Sequence, residues 1–281
     1  MTRSKSFEFR RRGKILFAQK WWPKEYPRAM VIFVHSWAEH SGRYAVIADH
    51  LAQYGYASYS FDFEGHGQTE GHRGSIPKFQ QWVDDVDAFV LSIQSELRNV
   101  PIFLCGFGMG GCAVAHYLSA EHHQVEGAIF SASAIEVSKN LPQFKVLMAW
   151  VLGGLLPNWP ISRLPPNKMS SVAAEQRDYD TDPLVYHGYM NAGTGKELIL
   201  ANRSAAKKLA QIDTPLLVLH GEADTLVAPE GGVALYHQAQ TADKTLHLYP
   251  DSFHDVFHER HKTDVFEHVR TWLDAHTTVN D

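Results

Sequence analysis

The chain has 281 residues, of which 44% are hydrophobic and 20% charged, and a formal net charge of -5. Its length and apolar content fit one domain, 1–281, with a large core. A mildly acidic chain without a basic run interleaved with aromatic residues argues against nucleic acid as a partner. No charged start followed by an apolar signal-like core is present, so we expect a cytoplasmic location.

Two cysteines, Cys105 and Cys112, are too few for a disulfide scaffold. We expect both to be small buried residues with reduced thiols. The 17 histidines are scattered, and none shares metal-ligand spacing with cysteine, so we predict no metal site. No cofactor is expected.

Strand and helix signals alternate along most of the chain. The run from Arg3 to Arg12 alternates apolar and polar residues and predicts an edge strand. Apolar runs bounded by turn residues predict further strands, and apolar residues at helical spacing predict helices. In chain order these are strands 14–21 and 30–34, helix 44–54, strand 57–63, helix 79–97, strand 101–106, helix 109–120, strands 127–131 and 215–220, helix 229–239, strand 245–249 and helix 262–276. This alternation predicts a doubly wound, mostly parallel α/β sheet.

A long segment interrupts the alternation. Roughly 70 to 80 residues separate the strand that ends near Ser131 from the one that starts at Thr214, far more than an ordinary connection. We therefore predict an inserted subdomain at 134–205. Within it, 146–159 is unusually apolar but too short to cross a bilayer. It is either a packed helix or an exposed apolar lip that admits a lipid chain or rests on a membrane.

A glycine-rich run follows the predicted strand at 101–106. Gly106-Phe107-Gly108-Met109-Gly110 leads from a strand into a helix, which is the context of the nucleophile elbow Gly-x-Ser-x-Gly. The position that should carry the nucleophilic serine is Gly108. Three glycines at this spacing also fit a phosphate-binding loop.

Two later strands are followed by residues suited to a catalytic triad. Asp224 follows the strand that ends at His220, and His254 follows the last strand. Taken singly, such an Asp is usually a turn former and such a His a surface or core residue. Both, however, come where strand C-termini meet the active face, and in the chain order of hydrolase triads. Together they predict the acid and the histidine of a triad.

Over nearly its whole length the chain resembles the monoacylglycerol lipase branch of the lysophospholipase and serine-aminopeptidase-like α/β-hydrolases. The resemblance is carried by His35-Ser36-Trp37-Ala38-Glu39-His40-Ser41-Gly42-Arg43-Tyr44, by Asp62-Phe63-Glu64-Gly65-His66-Gly67-Gln68-Thr69-Glu70-Gly71, by Asp182-Pro183-Leu184, by His220-Gly221-Glu222-Ala223-Asp224 and by Asp243-Lys244-Thr245-Leu246. It implies an eight-stranded, mostly parallel sheet with helices on both faces and an inserted cap. The phosphate-loop alternative is then disfavoured.

The resemblance implies a role for each residue of the reaction centre. Asp224 would orient His254, which would be general base for a serine at 108 and then acid for the leaving alcohol. The backbone N–H groups of Trp37 and Met109 would form the oxyanion hole.

The resemblance also implies a substrate with one apolar and one polar end. Glu39 and Arg43 match family residues that shape the polar end near a glycerol head group, the alternative being a surface ion pair and a loop anchor. Leu152 and Leu155 of the apolar lip are the candidates for the acyl-chain end. The expected partners are monoacyl lipids or small esters, with membrane contact through the cap; the oligomeric state is left open.

Two positions depart from the family pattern. Gly108 replaces the nucleophile, and Ser36 replaces a glycine beside the oxyanion hole. Without a hydroxyl at 108 no acyl-enzyme forms there, so we expect the chain to be inactive or strongly impaired. Three explanations fit the departures at Gly108 and Ser36. The serine at 108 was deliberately changed, the chain is a natural non-catalytic member of the family, or the nucleophile has moved to Ser36.

The sequence therefore predicts a carboxylic-ester hydrolase scaffold for monoacylglycerol-like or other single-chain esters. This scaffold lacks the nucleophilic serine at position 108. One alternative is a non-catalytic relative that binds a ligand or a partner protein. Another is a cofactor-free lyase in which His254 acts directly on the substrate.

Overall fold

The computed structural model describes residues 3–120, 123–135 and 143–277. Its strands are β1 (Arg3–Arg11), β2 (Lys14–Trp22), β3 (Ala29–Val34), β4 (Tyr56–Phe61), β5 (Ile102–Phe107), β6 (Gly127–Ser131), β7 (Pro160–Ser162), β8 (Met190–Asn191), β9 (Leu216–Gly221) and β10 (Lys244–Tyr249). Eight of them form one sheet in the order β1-β2-β4-β3-β5-β6-β9-β10. β1 and β2 pair with each other, and β2 pairs with β4, in antiparallel fashion; the remaining pairs are parallel. The predicted eight-stranded, mostly parallel sheet is confirmed.

Helices cover both faces of this sheet. They are α1 (Ala45–Gln53), α2 (Gln80–Glu96), α3 (Met109–Leu118), α4 (Gln143–Leu155), α5 (Ala173–Thr181), α6 (Ala192–Ala206), α7 (Glu230–Gln238) and α8 (Lys262–His276). Helices α2, α3, α6 and α7 contribute to the apolar core on one face, and α1, α5 and α8 to the core on the other. The doubly wound arrangement predicted from the alternation of elements is thus present.

The central strands are apolar throughout because both of their faces are covered. All six residues of β3 are buried. Met30 and Ile32 pack in the core on one face of the sheet, whereas Val31 and Phe33 pack in the core on the other. Successive side chains of a strand point to opposite faces, so a buried parallel strand needs apolar residues at every position.

The loop after β4 begins earlier than the strand signal at 57–63 predicted. β4 ends at Phe61, and the buried carboxylate of Asp62 accepts the N–H groups of Ser41 at 2.7 Å and Gln68 at 2.8 Å. A carboxylate that accepts two backbone N–H groups fixes the conformation of a loop and does not extend the pairing of the strand. Asp62 thereby ties this loop to the segment that follows β3.

The long segment between β6 and β9 holds the elements α4, β7, α5, β8 and α6. β7 and β8 pair in a separate two-stranded antiparallel sheet, and α4 packs against α6. Residues 136–142 of the predicted cap, 134–205, lie outside the described residues. No helix in the described ranges is long and apolar enough to span a bilayer.

Candidate active site

Asp224 and His254 are brought together from loops that follow two adjacent strands. Asp224 comes three residues after β9 ends, and His254 lies in the loop that follows β10. Nδ1 of His254 is 2.7 Å from Oδ2 of Asp224, while Oδ1 accepts the N–H groups of Leu226 and Val227. Because an ionised carboxylate only accepts hydrogen bonds, Nδ1 carries the proton in this contact. Nε2 of His254 is then the basic nitrogen, and His254 lines a cavity.

A second histidine contacts the same carboxylate. Nε2 of His220, the fifth residue of β9, lies 3.1 Å from Oδ2 of Asp224. His220 is fully buried. His220 had no predicted role beyond its place in a motif, although its position four residues before Asp224, at the end of a strand, could have indicated this contact. Asp224 is therefore fixed by two imidazoles and two backbone amides.

Burial and charge compete at this pair. Burial raises the pKa of Asp224, but the charge and hydrogen bonds of His254 and His220 outweigh it and hold that pKa below its ordinary value. Burial lowers the pKa of His254, but the charge and hydrogen bond of Asp224 outweigh it, so the net pKa is raised above its ordinary value. The histidine is thus made a stronger base than an exposed imidazole.

Gly108 has the backbone geometry of a sharp strand-to-helix turn. It separates β5 from α3 and has φ 51° and ψ -116°, a conformation that residues with a Cβ rarely adopt. Its N–H donates to the carbonyl of Ser131 at 3.1 Å. Two residues on, a Cβ at Gly110 would lie only 2.1 Å from the carbonyl oxygen of Val34. The helix therefore sits against β3 as closely as glycine permits.

The side chain of Ser36 occupies the volume that a side chain at 108 would need. A Cβ added at Gly108 would lie 2.4 Å from Oγ of Ser36 and 3.4 Å from Nε2 of His254. Oγ of Ser36 accepts the N–H of Met109, the first residue of α3, at 3.1 Å. Ser36 itself is 8% exposed. The two departures from the family pattern, far apart in sequence, thus meet at one point.

Hydrogen bonds hold the loop that carries Ser36 and Trp37 in place. His35 donates from Nδ1 to the carbonyl of Ser36 at 2.7 Å and accepts the N–H of Phe63 on Nε2 at 3.0 Å. Burial lowers the pKa of His35 to about 3, so it stays neutral and keeps this pattern of donor and acceptor. The indole N–H of Trp37 donates to the carbonyl of Gly74 at 2.8 Å. The backbone beside the elbow is thereby rigidly placed.

An apolar cavity of about 590 Å³ opens above these residues. Ser36, Trp37, Gly108, Met109 and His254 all line it. Its walls also include the polar residues Glu39, Ser162 and Asn202, and apolar side chains, among them Leu152, Leu164, Met169, Met190, Leu198 and Ile199. A volume of this size with few polar groups suits a small amphipathic molecule.

Leu152 and Leu155, both expected to line the acyl-chain end, are placed differently. Leu152 lines the cavity. Leu155, one helical turn farther along α4, is not among the lining residues and is 77% exposed. Leu155 is the last residue of α4, so it lies past the part of the helix that lines the cavity at Ala149 and Leu152. Leu155 joins a group of exposed apolar side chains, Leu147, Trp150, Val151, Leu156 and Trp159.

Glu39 and Arg43 form a buried ion pair, which differs from the surface ion pair considered as an alternative. Nε of Arg43 lies 3.2 Å from Oε1 of Glu39, and Nη2 donates to Asp255 at 2.8 Å. Burial raises the pKa of Glu39, and the charge of Arg43 only partly offsets this. Glu39 lines the cavity but Arg43 does not, because its guanidinium is taken up by the two carboxylates. Of the two residues expected to shape the polar end, Glu39 therefore lines the cavity itself, and Arg43 holds Glu39 from behind.

Cys105 and Cys112 are free and buried, as predicted. Burial raises the pKa of both thiols, so neither is a reactive thiolate. Within the described ranges, no three His, Cys, Asp or Glu side chains are grouped as metal ligands.

Comparison with known proteins agrees with this architecture. The model of the family "Serine aminopeptidase, S33" matches residues 25–261. The chain is 32% identical over 271 residues to the human monoglyceride lipase, covering 95% of this chain and 89% of that one. It is 30% identical over 256 residues to the monoacylglycerol lipase of Mycolicibacterium smegmatis, covering 91% of each.

Solved structures give the same result. The crystal structure of the Paleococcus ferrophilus monoacylglycerol lipase has a TM-score of 0.81 at 30% identity and covers 93% of this chain and 99% of that chain. A soluble variant of the Saccharomyces cerevisiae monoglyceride lipase, bound to a substrate analog, has a TM-score of 0.89 at 26% identity and covers 100% and 97%. The chain therefore belongs to the serine aminopeptidase S33 family of α/β-hydrolases and resembles its monoglyceride lipases.

Proposed function

We propose that this chain is a carboxylic-ester hydrolase scaffold for monoacylglycerols or other single-chain esters. The observation that carries the proposal is the His254–Asp224 pair at the polar end of an apolar cavity. Nε2 of His254 would take a proton from a hydroxyl nucleophile and return it to the leaving alcohol. Gly108 has no hydroxyl, so the usual route through an acylated elbow residue is closed and activity by that route is absent.

The oxyanion hole is assigned to the backbone N–H groups of Trp37 and Met109. Both residues line the cavity next to Gly108. In this chain the N–H of Met109 donates to Oγ of Ser36, so it becomes free for a substrate oxyanion in a variant that lacks the Ser36 side chain. The helix that starts at Met109 adds a positive partial charge at the same point.

The substrate class follows from the two ends of the cavity. Its apolar walls, with Leu152 among them, suit one acyl chain, and Glu39 supplies a polar group for a small head group. We assign 134–205 as a cap over this cavity, since Leu152, Leu164 and Leu198 come from that segment. The exposed side chains of α4, including Trp150 and Leu155, suit contact with a lipid surface. The relatives named as monoglyceride lipases support the same class.

The proposal is tested by restoring the elbow. Because Ser36 would crowd a side chain at 108, the restoring variant is the double substitution Ser36→Gly with Gly108→Ser. We expect it to hydrolyse medium- and long-chain monoacylglycerols and to lose most of that activity on His254→Ala or Asp224→Asn. A folded double variant without hydrolysis would refute the proposal and favour a ligand-binding role.

A further inference from the structure

The hydroxyl of Ser36 lies beside the position that a side chain at the elbow would occupy. Its Oγ lies 2.4 Å from the Cβ position of a side chain at 108, and the same position is 3.4 Å from Nε2 of His254. Ser36 Oγ and His254 Nε2 therefore face one small volume at the base of the cavity. Both residues line that cavity.

Two features favour ionisation of this hydroxyl. The N–H of Met109 donates to Oγ at 3.1 Å, and Met109 begins the ten-residue helix α3. A donor at a helix N-terminus stabilises negative charge on the oxygen it contacts. On the other side, His254 is held by Asp224 with its basic Nε2 directed to the cavity and its pKa raised. The proton and the charge of a Ser36 alkoxide would each have a partner.

The described lining offers no rival hydroxyl at this point. Besides Ser36, the only hydroxyl-bearing residue among the described residues lining the cavity is Ser162, in β7. Ser162 is exposed and its Oγ contacts the carbonyl of Arg163. It comes from the predicted cap segment 134–205, and among the described hydrogen bonds none joins it to His254.

We propose that Ser36 is the catalytic nucleophile of this chain, an inference that rests on the proposed ester hydrolase function. Nε2 of His254 takes the Oγ proton, and Oγ forms a bond to the ester carbonyl carbon. The C–O bond of the leaving alcohol breaks, the alcohol receives the proton from His254, and the acyl group stays on Ser36. Water then attacks the acyl carbon, gives its proton to His254, and releases the fatty acid as Ser36 regains its proton.

The experiment is covalent labelling of the unmodified chain with an alkyl fluorophosphonate, followed by intact mass and peptide mapping. We expect one adduct, on Ser36, and hydrolysis of a monoacylglycerol. Ser36→Ala should lose the adduct and lower hydrolysis at least about 100-fold, and His254→Ala should slow labelling by a similar factor. Ser133→Ala, which removes another buried hydroxyl near the elbow outside the cavity lining, is the matched control and should label like the unmodified chain.

The double variant with Ser36→Gly and Gly108→Ser separates the two proposals, and its thermal unfolding checks that loss of the Ser36 hydroxyl is compatible with folding. If it is labelled on residue 108 while the unmodified chain is not labelled, Ser36 is not the nucleophile and the hydrolase function stands. An adduct of the unmodified chain at any residue other than Ser36 would also overturn the inference. If neither protein reacts with the probe or the ester, both proposals fail.

Discussion

The Nδ1 atom of His254 lies 2.7 Å from Oδ2 of Asp224, and this contact determines the pH at which the histidine can act as a base. Because the pKa of His254 is raised, the imidazole stays protonated to a higher pH than an exposed imidazole does, and it acts as a base only above that pKa. We expect kcat/KM for monoacylglycerol hydrolysis by the double variant to rise with pH around a midpoint above that of an exposed imidazole.

Asp224→Asn in the double variant checks the cause of that midpoint. Removing the carboxylate leaves burial as the main effect on His254, so the midpoint should move to lower pH while the limiting rate falls by up to about 10⁴-fold. A midpoint that does not move would show that another group titrates in this range.

His220 should stabilise the folded chain through Asp224. His220→Ala removes a donor 3.1 Å from a buried carboxylate oxygen, and a buried acceptor left with one partner fewer costs about 1–3 kcal/mol. Thermal unfolding at neutral pH should show that loss. His237→Ala, on partly exposed α7 surface, serves as the comparison and should change stability by less than about 0.5 kcal/mol.

Leu152 and Leu155 offer a matched pair of substitutions in one helix. Leu152→Asp places a charge in the cavity wall and should reduce hydrolysis of long-chain monoacyl esters by the double variant more than hydrolysis of short-chain esters. Leu155→Asp changes an exposed position and should leave the preference for soluble short and long esters unchanged. It should instead weaken binding to phosphatidylcholine vesicles in a flotation assay. Equal effects of the two substitutions on chain-length preference would contradict the separation of cavity and lip.

The close approach of α3 to β3 predicts that Gly110 tolerates no side chain. Gly110→Ala would place a Cβ 2.1 Å from a backbone oxygen, and we expect a loss of about 3 kcal/mol or more in the free energy of unfolding. Gly154→Ala is the control, since only Nζ of Lys196 comes as near as 4.0 Å to a Cβ there. In helix α4 this substitution should be neutral or stabilising by up to about 1 kcal/mol.

The sequence predicted the sheet, its helices and the pairing of Asp224 with His254, because buried parallel strands and strand-to-helix turns leave local patterns. It did not predict that Ser36 and Gly108 share one volume, since contacts across the sheet leave no local periodicity. The same holds for Arg43, whose burial between two carboxylates depends on Asp255, from a loop more than two hundred positions away. The prediction for Leu155 was wrong for a different reason: composition marks an apolar segment but not how far along the helix the cavity extends.

The shared volume of Ser36 and Gly108 also restricts how one arrangement can change into the other by single substitutions. A chain with serine at both positions must turn the Ser36 side chain away from its bond with Met109, because the new Cβ would lie 2.4 Å from its oxygen. A chain with glycine at both positions has room but no hydroxyl for His254 to deprotonate. Each single-substitution intermediate therefore has a defect: the chain with two serines is crowded, and the chain with two glycines has no nucleophile. Lineages that cross between the two arrangements should retain serine at one position or the other and seldom at neither.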